Sequence, residues 1–376
     1  MSELELLRQE IDGVDRALVD LFLQRMDIAQ RVGEYKLRQG IPVLDAAREQ
    51  VVLESKRALA PSEETAREVG TLFEALMGIS RARQQRRLGN QTAEVPPMAA
   101  NHGLRIIYQG EAGAYTEEAA RHYFGETAQI GPTPRWSDVF EALTGGSADY
   151  GVLPIENSTT GAITQVYDLL AAGNVAIVGE VIVNVRHCLM GVSGATVEGL
   201  GEVFSHPQGF FQCGAYLAGQ AFVCTEMGNT ALAAQHVAKF GDKTKAAIGS
   251  PRAAEVYGLE ILAESINDAQ YNQTRFLVVQ AEERAAYGPE ADKVSMLFTL
   301  PHRSGTLNQV MGIFARYGLN LLKLESRPLA DRPWEYLFFV DFSANLSEEN
   351  AKLALAELTA CALQVQVLGN YKGVTQ

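Results

Sequence analysis

The sequence predicts a multidomain protein with an all-α N-terminal unit, a bilobal α/β domain and an α+β, ferredoxin-like C-terminal module. Three observations give this prediction: a long helical repeat within residues 8–36, alternating short strands and helices from residue 104, and a β-α-β-β-α-β order near the C-terminus. The length of 376 residues also exceeds that of a typical single domain. We therefore place the units at residues 1–90, 104–281 and 293–372, with an aperiodic linker over residues 91–103.

Composition excludes several classes of function. The net charge of −13 argues against nucleic acid and membrane surfaces as partners. The chain has neither a run of 18 apolar residues nor a signal-peptide pattern, so we expect a cytoplasmic protein. Its four cysteines form no CxxC or CxxH group, so the sequence indicates no zinc site, disulfide framework or other metal or cofactor.

The first predicted helix carries three cations on a stripe that should be apolar. A spacing of alternating three and four residues relates Arg8, Ile11, Asp15, Leu18, Phe22, Arg25, Ala29, Val32 and Lys36. Because a buried cation without a partner costs several kcal/mol, the stripe is either an exposed charged face or a pocket for a small ligand with several carboxylates. Arg25 and Lys36 lie ~16 Å apart along the axis, but Arg8 lies ~25 Å beyond Arg25. If Arg8 contributes, it comes from a second, antiparallel copy, which predicts a dimer with shared sites.

Two more helices complete this unit. Ile41-Pro42 ends the first helix, since proline disfavours helix just before it. A second helix is predicted over about Asp45–Leu59, with Asp45 as a plausible N-cap. Pro61-Ser62 followed by acidic residues begins a third helix that runs toward Arg87, with Ser80 and Gln84 on one face.

Eight residues of the unit resemble the active site of the all-helical chorismate mutases in type and spacing: Arg8, Arg25, Lys36, Asp45, Arg48, Glu49, Ser80 and Gln84. The resemblance implies a domain-swapped helical dimer in which the three arginines bind the two carboxylates of chorismate, assisted by Ser80. It also implies that Lys36 and Gln84 donate to the ether oxygen, while Glu49 and the backbone region of Asp45 hold the ring hydroxyl. The rearrangement to prephenate needs no nucleophile, because holding a compact conformer and stabilising the charge on the ether oxygen suffices.

The second unit reads as a domain of mostly parallel strands in two lobes. Strands are predicted at 104–108, 150–154, 175–183, 189–192, 202–204 and 246–248, with another that begins at 272–276. Helices are predicted near 117–124, 137–143, 208–218 and 231–240. Ligands of such folds bind outside the carboxyl ends of the strands, where several polar clusters of this sequence lie. Each cluster alone is weak, because Asn, Ser and Gly at strand ends are usually turn residues, and His206 could equally be a turn residue or an active group.

Together, four motifs of this unit resemble prephenate dehydratase: PIENSxxG from Pro154, HCL from His187, SHPQxxxQC from Ser205 and DxxxNxTRF from Asp268. The resemblance implies a periplasmic-binding-protein-like domain that converts prephenate to phenylpyruvate with loss of CO2 and hydroxide. It points to Thr274 as the residue on which activity depends, which we interpret as an oriented donor, with Glu156 as its proton reservoir. The expected prephenate site comprises Glu156, Asn157, Ser158, Ser205, Gln212, Asn272, Thr274 and Arg275.

The C-terminal module has the predicted strand and helix order of a ferredoxin-like fold. Strands are expected at 294–300, 320–327, 334–342 and 365–368, and helices at 306–317 and 348–358. Two segments resemble the ligand motifs of ACT domains attached to prephenate dehydratases: Gly305, Thr306 and Leu307, then Glu325, Ser326, Arg327 and Pro328. The resemblance implies that phenylalanine binds there, with its carboxylate at a helix N-terminus. A purely structural docking module is the alternative.

The order of the three modules resembles that of the bifunctional enzymes of phenylalanine biosynthesis. It implies that chorismate, prephenate and phenylalanine are ligands, that phenylalanine is an allosteric inhibitor, and that the N-terminal helices form a homodimer or part of a larger oligomer. One rival is a mutase joined to prephenate dehydrogenase, which would need a GxGxxG motif after a strand, and none is present. The other is a non-catalytic amino-acid sensor, against which the two sets of active-site motifs argue.

Overall fold

The structure, a computed structural model, describes residues 3–38, 46–85, 103–269, 271–329 and 332–374. The predicted linker over 91–103 lies outside these residues except for Gly103. Within the described ranges, no helix is both long enough and apolar enough to cross a membrane.

Three helices form the N-terminal unit: α1 (Glu3–Arg38), α2 (Ala46–Arg57) and α3 (Glu63–Gln85). The predicted start of the third helix is confirmed, since the Ser62 hydroxyl accepts from the backbone N–H of Thr65 at 3.2 Å. Met26 of α1 and Met77 of α3 are buried where the two helices meet. Most of the other described side chains of α1 are exposed to solvent in the single chain.

Two sheets form the second unit, one in each lobe. The first-lobe sheet has the order β2-β1-β3-β11-β5, with β4 beside β3. The second-lobe sheet has the order β10-β6-β9-β7-β8. The strands are β1 (Ile106–Gln109), β2 (Ile130–Thr133), β3 (Tyr150–Asn157), β4 (Gly161–Ala162), β5 (Val175–Asn184), β6 (Cys188–Gly191), β7 (Glu202–Ser205), β8 (Val223–Glu226), β9 (Lys245–Gly249), β10 (Glu260–Ala263) and β11 (Gln273–Ala281). The helices are α4 (Tyr115–Phe124), α5 (Trp136–Thr144), α6 (Thr164–Ala171), α7 (Pro207–Gln212), α8 (Gly214–Ala218), α9 (Thr230–Phe240) and α10 (Pro251–Tyr257).

The two lobes confirm the bilobal prediction, but the expectation of mostly parallel strands is wrong. Strand β1 pairs in parallel with β2 and β3, and β7 pairs in parallel with β8 and β9, whereas β11 and β6 pair antiparallel with both of their neighbours. The chain leaves the first lobe through β5 and returns through β11, so these adjacent strands must run in opposite directions.

Some elements were not predicted from the sequence. Strands β2, β8 and β10 and helices α6 and α10 are short and lack a clear period, and the single helix expected over 208–218 is two helices that meet at Cys213.

The C-terminal module has the predicted β-α-β-β-α-β order. Its strands are β12 (Lys293–Thr299), β13 (Asn320–Leu329), β14 (Arg332–Ser343) and β15 (Gln364–Tyr371), and its helices are α11 (Thr306–Arg316) and α12 (Glu349–Cys361). The antiparallel sheet has the order β13-β14-β12-β15. One face packs on the two helices, and the other shares an apolar cluster with the first lobe that includes Ile177, Leu297 and Leu368. At Gly369 a Cβ would lie 2.1 Å from the carbonyl oxygen of Ile177, so this close contact requires glycine.

Candidate active sites

In the helical unit, the structure brings together two of the residues predicted to bind chorismate. Arg25 Nη1 donates to Ser80 Oγ at 2.6 Å and to the carbonyl of Leu76 at 3.1 Å. Ser80 is buried and passes its own hydrogen to the same carbonyl at 2.8 Å, so its hydroxyl is oriented to accept from Arg25. The guanidinium is thus fixed at the junction of α1 and α3.

Of the other predicted chorismate ligands, Arg8 and Lys36 belong to α1, Arg48 and Glu49 to α2, and Gln84 to α3. Arg8 and Arg48 are exposed and Lys36 is half-buried. Asp45 lies outside the described residues, and so do the side chains of Glu49 and Gln84.

An apolar stripe on α1 lies open to solvent. At alternating steps of three and four residues it comprises Leu4, Leu7, Ile11, Val14, Leu18 and Leu21, and it continues past Arg25 with Ile28, Val32 and Tyr35. Leu18 is 53% exposed and Leu21 is 61% exposed. A seam of this spacing is typical of helices that pair with another helix, and Arg25 interrupts it. A site built around Arg25 would therefore be completed by whatever covers the stripe.

A cleft of about 560 Å³ separates the lobes of the second unit. Of the predicted prephenate site, Asn157, Gln212 and Thr274 line it. Among the described residues that line the cleft, none is Asp, Glu, Lys or Arg. A ligand with carboxylates would therefore meet dipoles and hydrogen-bond donors in this cleft rather than lysine or arginine side chains.

Helix N-termini supply such dipoles. Tyr115 and Thr116 at the start of α4, Thr164 at the start of α6, and Asn229 and Thr230 at the start of α9 all line the cleft. Free N–H groups and the helix dipole make such termini favourable for anions. Trp136 also lines the cleft, and its indole N–H is buried without a partner within the described part of the chain.

Thr274 is held in one orientation by Asn157. The amide nitrogen of Asn157 donates to Thr274 Oγ1 at 2.9 Å, and also to Asn272 Oδ1 at 2.7 Å. Strand pairing places Thr274 directly opposite Asn157, so both side chains emerge on the same face of the sheet. Because Thr274 Oγ1 accepts from Asn157, its own hydrogen is available to a ligand in the cleft.

Three predicted prephenate ligands lie behind or beside the cleft rather than on its wall. Asn272 supports Asn157 and is buried. Ser205 is fully buried and donates to the carbonyl of Ile248 at 3.0 Å. Ser158 Oγ accepts from the backbone N–H of Gln273 at 2.9 Å. The geometry makes these three residues supports for the site.

The placement of Glu156 and Arg275 corrects two predictions. Successive residues of a strand point to opposite faces, so Arg275 turns away from the face that carries Thr274, and its strand partner Glu156 turns with it. Arg275 Nε lies 2.6 Å from Glu156, and its Nη1 lies 2.7 Å from Asp341 and 3.0 Å from Glu180. Arg275 therefore does not line the cleft as a prephenate ligand, and Glu156 is not a proton reservoir for Thr274.

These residues instead form an ion cluster between the first lobe and the C-terminal module. Three carboxylates meet three cations there, with Lys293 at 2.8 Å from Glu180 and Lys323 paired with Glu156. Burial disfavours the charge on Arg275, but the adjacent carboxylates, Asp341 first among them, outweigh it and raise the pKa of the guanidinium. Through these ion pairs the cluster connects strand β11, which carries Thr274, to the C-terminal module.

Two histidines of the cleft were not among the predicted site residues. His206 Nδ1 caps α7 by accepting from the backbone N–H of Gln208 at 3.2 Å, so the turn interpretation is correct, yet its ring also lines the cleft. His187 lies between β5 and β6 and contacts Gln212 at 2.9 Å. Burial lowers the pKa of both imidazoles, which favours their neutral forms. The HCL motif was the available sequence signal for His187.

The predicted phenylalanine motifs lie at the start of α11 and along β13. Gly305 is the N-cap of α11 with φ of 87°, a left-handed conformation that favours glycine, and Leu307 belongs to the helix-side apolar cluster. Thr306 Oγ1 donates to the carbonyls of Pro301 and Arg303 at 3.1 and 3.0 Å. Arg327 pairs with Asp168 of the first lobe at 3.0 Å. The other predicted residues vary in exposure, with Glu325 half-buried and Ser326 and Pro328 exposed.

Two family models match the chain. The model described as chorismate mutase type II matches residues 7–85, and the model described as prephenate dehydratase matches residues 106–284. The bifunctional chorismate mutase/prephenate dehydratase of Escherichia coli strain K12 is 33% identical over 372 residues, covering 97% of this chain and 95% of that protein.

Solved structures resemble about seven tenths of the chain. A prephenate dehydratase from Arthrobacter aurescens in complex with L-Phe aligns with a TM-score of 0.66 and 27% identity, over 71% of this chain and 89% of that one. GqqA, described as a novel type of quorum quenching acylase, aligns with a TM-score of 0.67 and 29% identity, over 72% of this chain and 98% of that one. With matches to both catalytic families and to a relative along nearly its whole length, this chain belongs to the bifunctional chorismate mutase/prephenate dehydratase family and carries both activities.

Proposed function

We propose that the two activities act in sequence at separate sites, that a second copy of the chain completes the mutase site, and that phenylalanine binding to the C-terminal module inhibits the enzyme. The single observation that carries the dehydratase part is the orientation of Thr274, whose hydroxyl accepts from Asn157 and so has its hydrogen available to the cleft.

In the mutase site, Arg25, which Ser80 helps to orient, holds a carboxylate of chorismate, with Arg48 and the partner copy's Arg8 as further cations. Support comes from the bond between Arg25 and Ser80 and from the exposed stripe on which Arg25 lies. A second, antiparallel copy of α1 would cover the stripe and bring its N-terminal end toward Arg25. Lys36 and Gln84 then stabilise the charge that grows on the ether oxygen as its bond to carbon breaks, while Glu49 and the backbone region of Asp45 hold the ring hydroxyl.

In the dehydratase site, helix N-termini bind the two carboxylates of prephenate and Thr274 donates to the ring hydroxyl. As the carbon–carbon bond to the ring carboxylate breaks, its electron pair enters the ring, CO2 leaves and the carbon–oxygen bond opposite breaks. Aromatisation drives the step, and a hydrogen bond from Thr274 stabilises the departing hydroxide. Phe276 and Val185 give the cleft apolar walls, which favour loss of a poorly solvated carboxylate.

Phenylalanine would bind at Gly305 and the β13 segment Glu325–Pro328. Support comes from the left-handed Gly305 at a helix N-terminus and from the L-Phe complex of the Arthrobacter aurescens relative. The ion cluster around Arg275 offers a physical route from this module to the strand of Thr274. A coupling of about 1–3 kcal/mol between the two sites would be enough for feedback.

A coupled assay on the purified protein tests the succession of the two activities and their inhibition by phenylalanine. The enzyme is given chorismate alone, and phenylpyruvate is followed with and without millimolar phenylalanine. Phenylpyruvate formation that phenylalanine suppresses is the expected result. Formation that phenylalanine leaves unchanged would refute the regulatory proposal and favour a docking role for the module.

A further inference from the structure

A chain of side-chain hydrogen bonds crosses from one lobe of the dehydratase to the other. It begins at Thr274 and Asn157, and it continues from Asn157 Oδ1 to Thr159 Oγ1 at 2.6 Å. Gln212 of the second lobe then reaches Thr159 at 3.2 Å, and its other amide atom lies 2.9 Å from His187 Nε2. The contact between Gln212 and Thr159 is the step that spans the cleft.

Backbone amides fix the direction of every bond in this chain. Asn157 Oδ1 accepts from the backbone N–H groups of Thr159 and Thr160, at 3.0 and 3.1 Å, so this atom is the oxygen. The Thr159 hydroxyl must then give its one hydrogen to Asn157 and accept from the nitrogen of Gln212. Gln212 consequently turns its oxygen toward His187, and His187 must donate from Nε2.

The surroundings of His187 hold its ring in place. The residue lies in the segment that joins the lobes, is buried, and its backbone N–H donates to Asn267 Oδ1 of the returning segment at 2.6 Å. Its Nδ1 lies 3.3 Å from the Tyr115 hydroxyl. With Nε2 protonated, Nδ1 is an acceptor and competes for the tyrosine hydrogen with the carbonyl of Arg186, which lies 2.9 Å from the same hydroxyl. The ring therefore sits at the hinge with Nε2 aimed at Gln212.

We propose that His187 is a positioning residue of the dehydratase, which holds Gln212 across the cleft and so fixes the orientation of the Thr274 hydroxyl. The inference deepens the proposed function and rests on the proposed role of Thr274. Without the donor at Nε2, the oxygen of Gln212 loses its buried partner and the amide is free to rotate. Thr159 then keeps its hydrogen bond to Asn157 but loses the support from the opposite lobe.

Two substitutions separate positioning from packing. His187→Gln keeps an N–H donor near the place of Nε2, whereas His187→Asn is shorter and cannot reach Gln212. We expect His187→Asn to lower kcat for prephenate about tenfold with a smaller change in KM, and His187→Gln to restore most of the loss. His122→Asn, at an exposed position of α4, is the matched control and should leave activity unchanged. Mutase activity of the same full-length chain reports on folding.

A double-mutant cycle identifies the partner through which His187 acts. If His187 works by holding Gln212, then His187→Asn combined with Gln212→Ala should lose no more activity than Gln212→Ala alone. Losses that multiply, or a His187→Gln variant as impaired as His187→Asn, would overturn the proposal. Thr274→Val is assayed alongside: if it stays active, the role of Thr274 fails and the inference with it. If Thr274→Val is inactive while His187→Asn is fully active, only the positioning role is refuted.

Discussion

Replacing Arg275 by methionine tests whether this residue binds substrate or joins the two domains. Arg275 is close to three carboxylates, and Lys293 and Lys323 complete a cluster of three anions and three cations. The Arg275→Met variant leaves three carboxylates facing two lysines in a buried site. Loss of one partner of a buried pair costs about 3–5 kcal/mol, because the remaining charges are no longer compensated.

The expected result is a stability defect with little change in substrate binding. A loss of 3–5 kcal/mol lowers the melting temperature of a unit of this size by roughly 6–20 °C, which differential scanning calorimetry measures. Because Arg275 does not line the cleft, KM for prephenate should change by less than about threefold, assayed well below the new transition.

The matched control is Arg284→Met, which removes a half-exposed pair with Asp149 at 3.1 Å and should cost less than about 1 kcal/mol. A large rise in KM for prephenate with an unchanged melting temperature would refute the placement of Arg275. It would mean that the guanidinium reaches the cleft and binds a carboxylate as first predicted.

Three further substitutions test the other sites. Arg25→Met should lower mutase kcat/KM by about 100-fold or more and leave dehydratase activity intact, because the guanidinium binds Leu76 and Ser80 of the helical unit. An equal loss of both activities would contradict separate sites. Leu18→Glu should dissociate the proposed dimer and abolish mutase activity, since a charge would enter the proposed contact between two α1 helices. Analytical ultracentrifugation measures the dissociation, and a dimeric, active variant would refute this contact. Gly305→Val should raise the phenylalanine concentration needed for half-inhibition, since valine is strained at φ of 87°. Unchanged inhibition would exclude the N-terminus of α11 as the phenylalanine site.

Periodicity explains which parts of the fold could be predicted. The long helix α1 was predicted because its alternating three- and four-residue spacing extends over many turns. Strands of four residues such as β8 and β10 are too short to show a period, and their exposed apolar residues resemble loop positions. The direction of the strands at the hinge depends on where the chain crosses between the lobes. Short-range patterns in the sequence carry no information about that crossing.

The placement of Glu156 and Arg275 away from the cleft could have been predicted from the sequence. Once Thr274 is placed facing the cleft, the two-residue period of a strand turns Arg275 to the other face, and the same rule separates Asn157 from Glu156. The proposed role of His187 could not have been predicted from the sequence. Its contact with Gln212 joins residues 25 positions apart, and the direction of that bond follows from backbone amides near Thr159.

The most direct test of the role of Thr274 is to give chorismate alone to the Thr274→Val and Thr274→Ser variants and to follow chorismate, prephenate and phenylpyruvate over time. Valine keeps the shape of threonine but removes the hydroxyl, whereas serine retains it. We expect Thr274→Val to consume chorismate at the wild-type rate and to accumulate prephenate, while Thr274→Ser still forms phenylpyruvate. Phenylpyruvate formed by Thr274→Val at close to the wild-type rate would contradict this role.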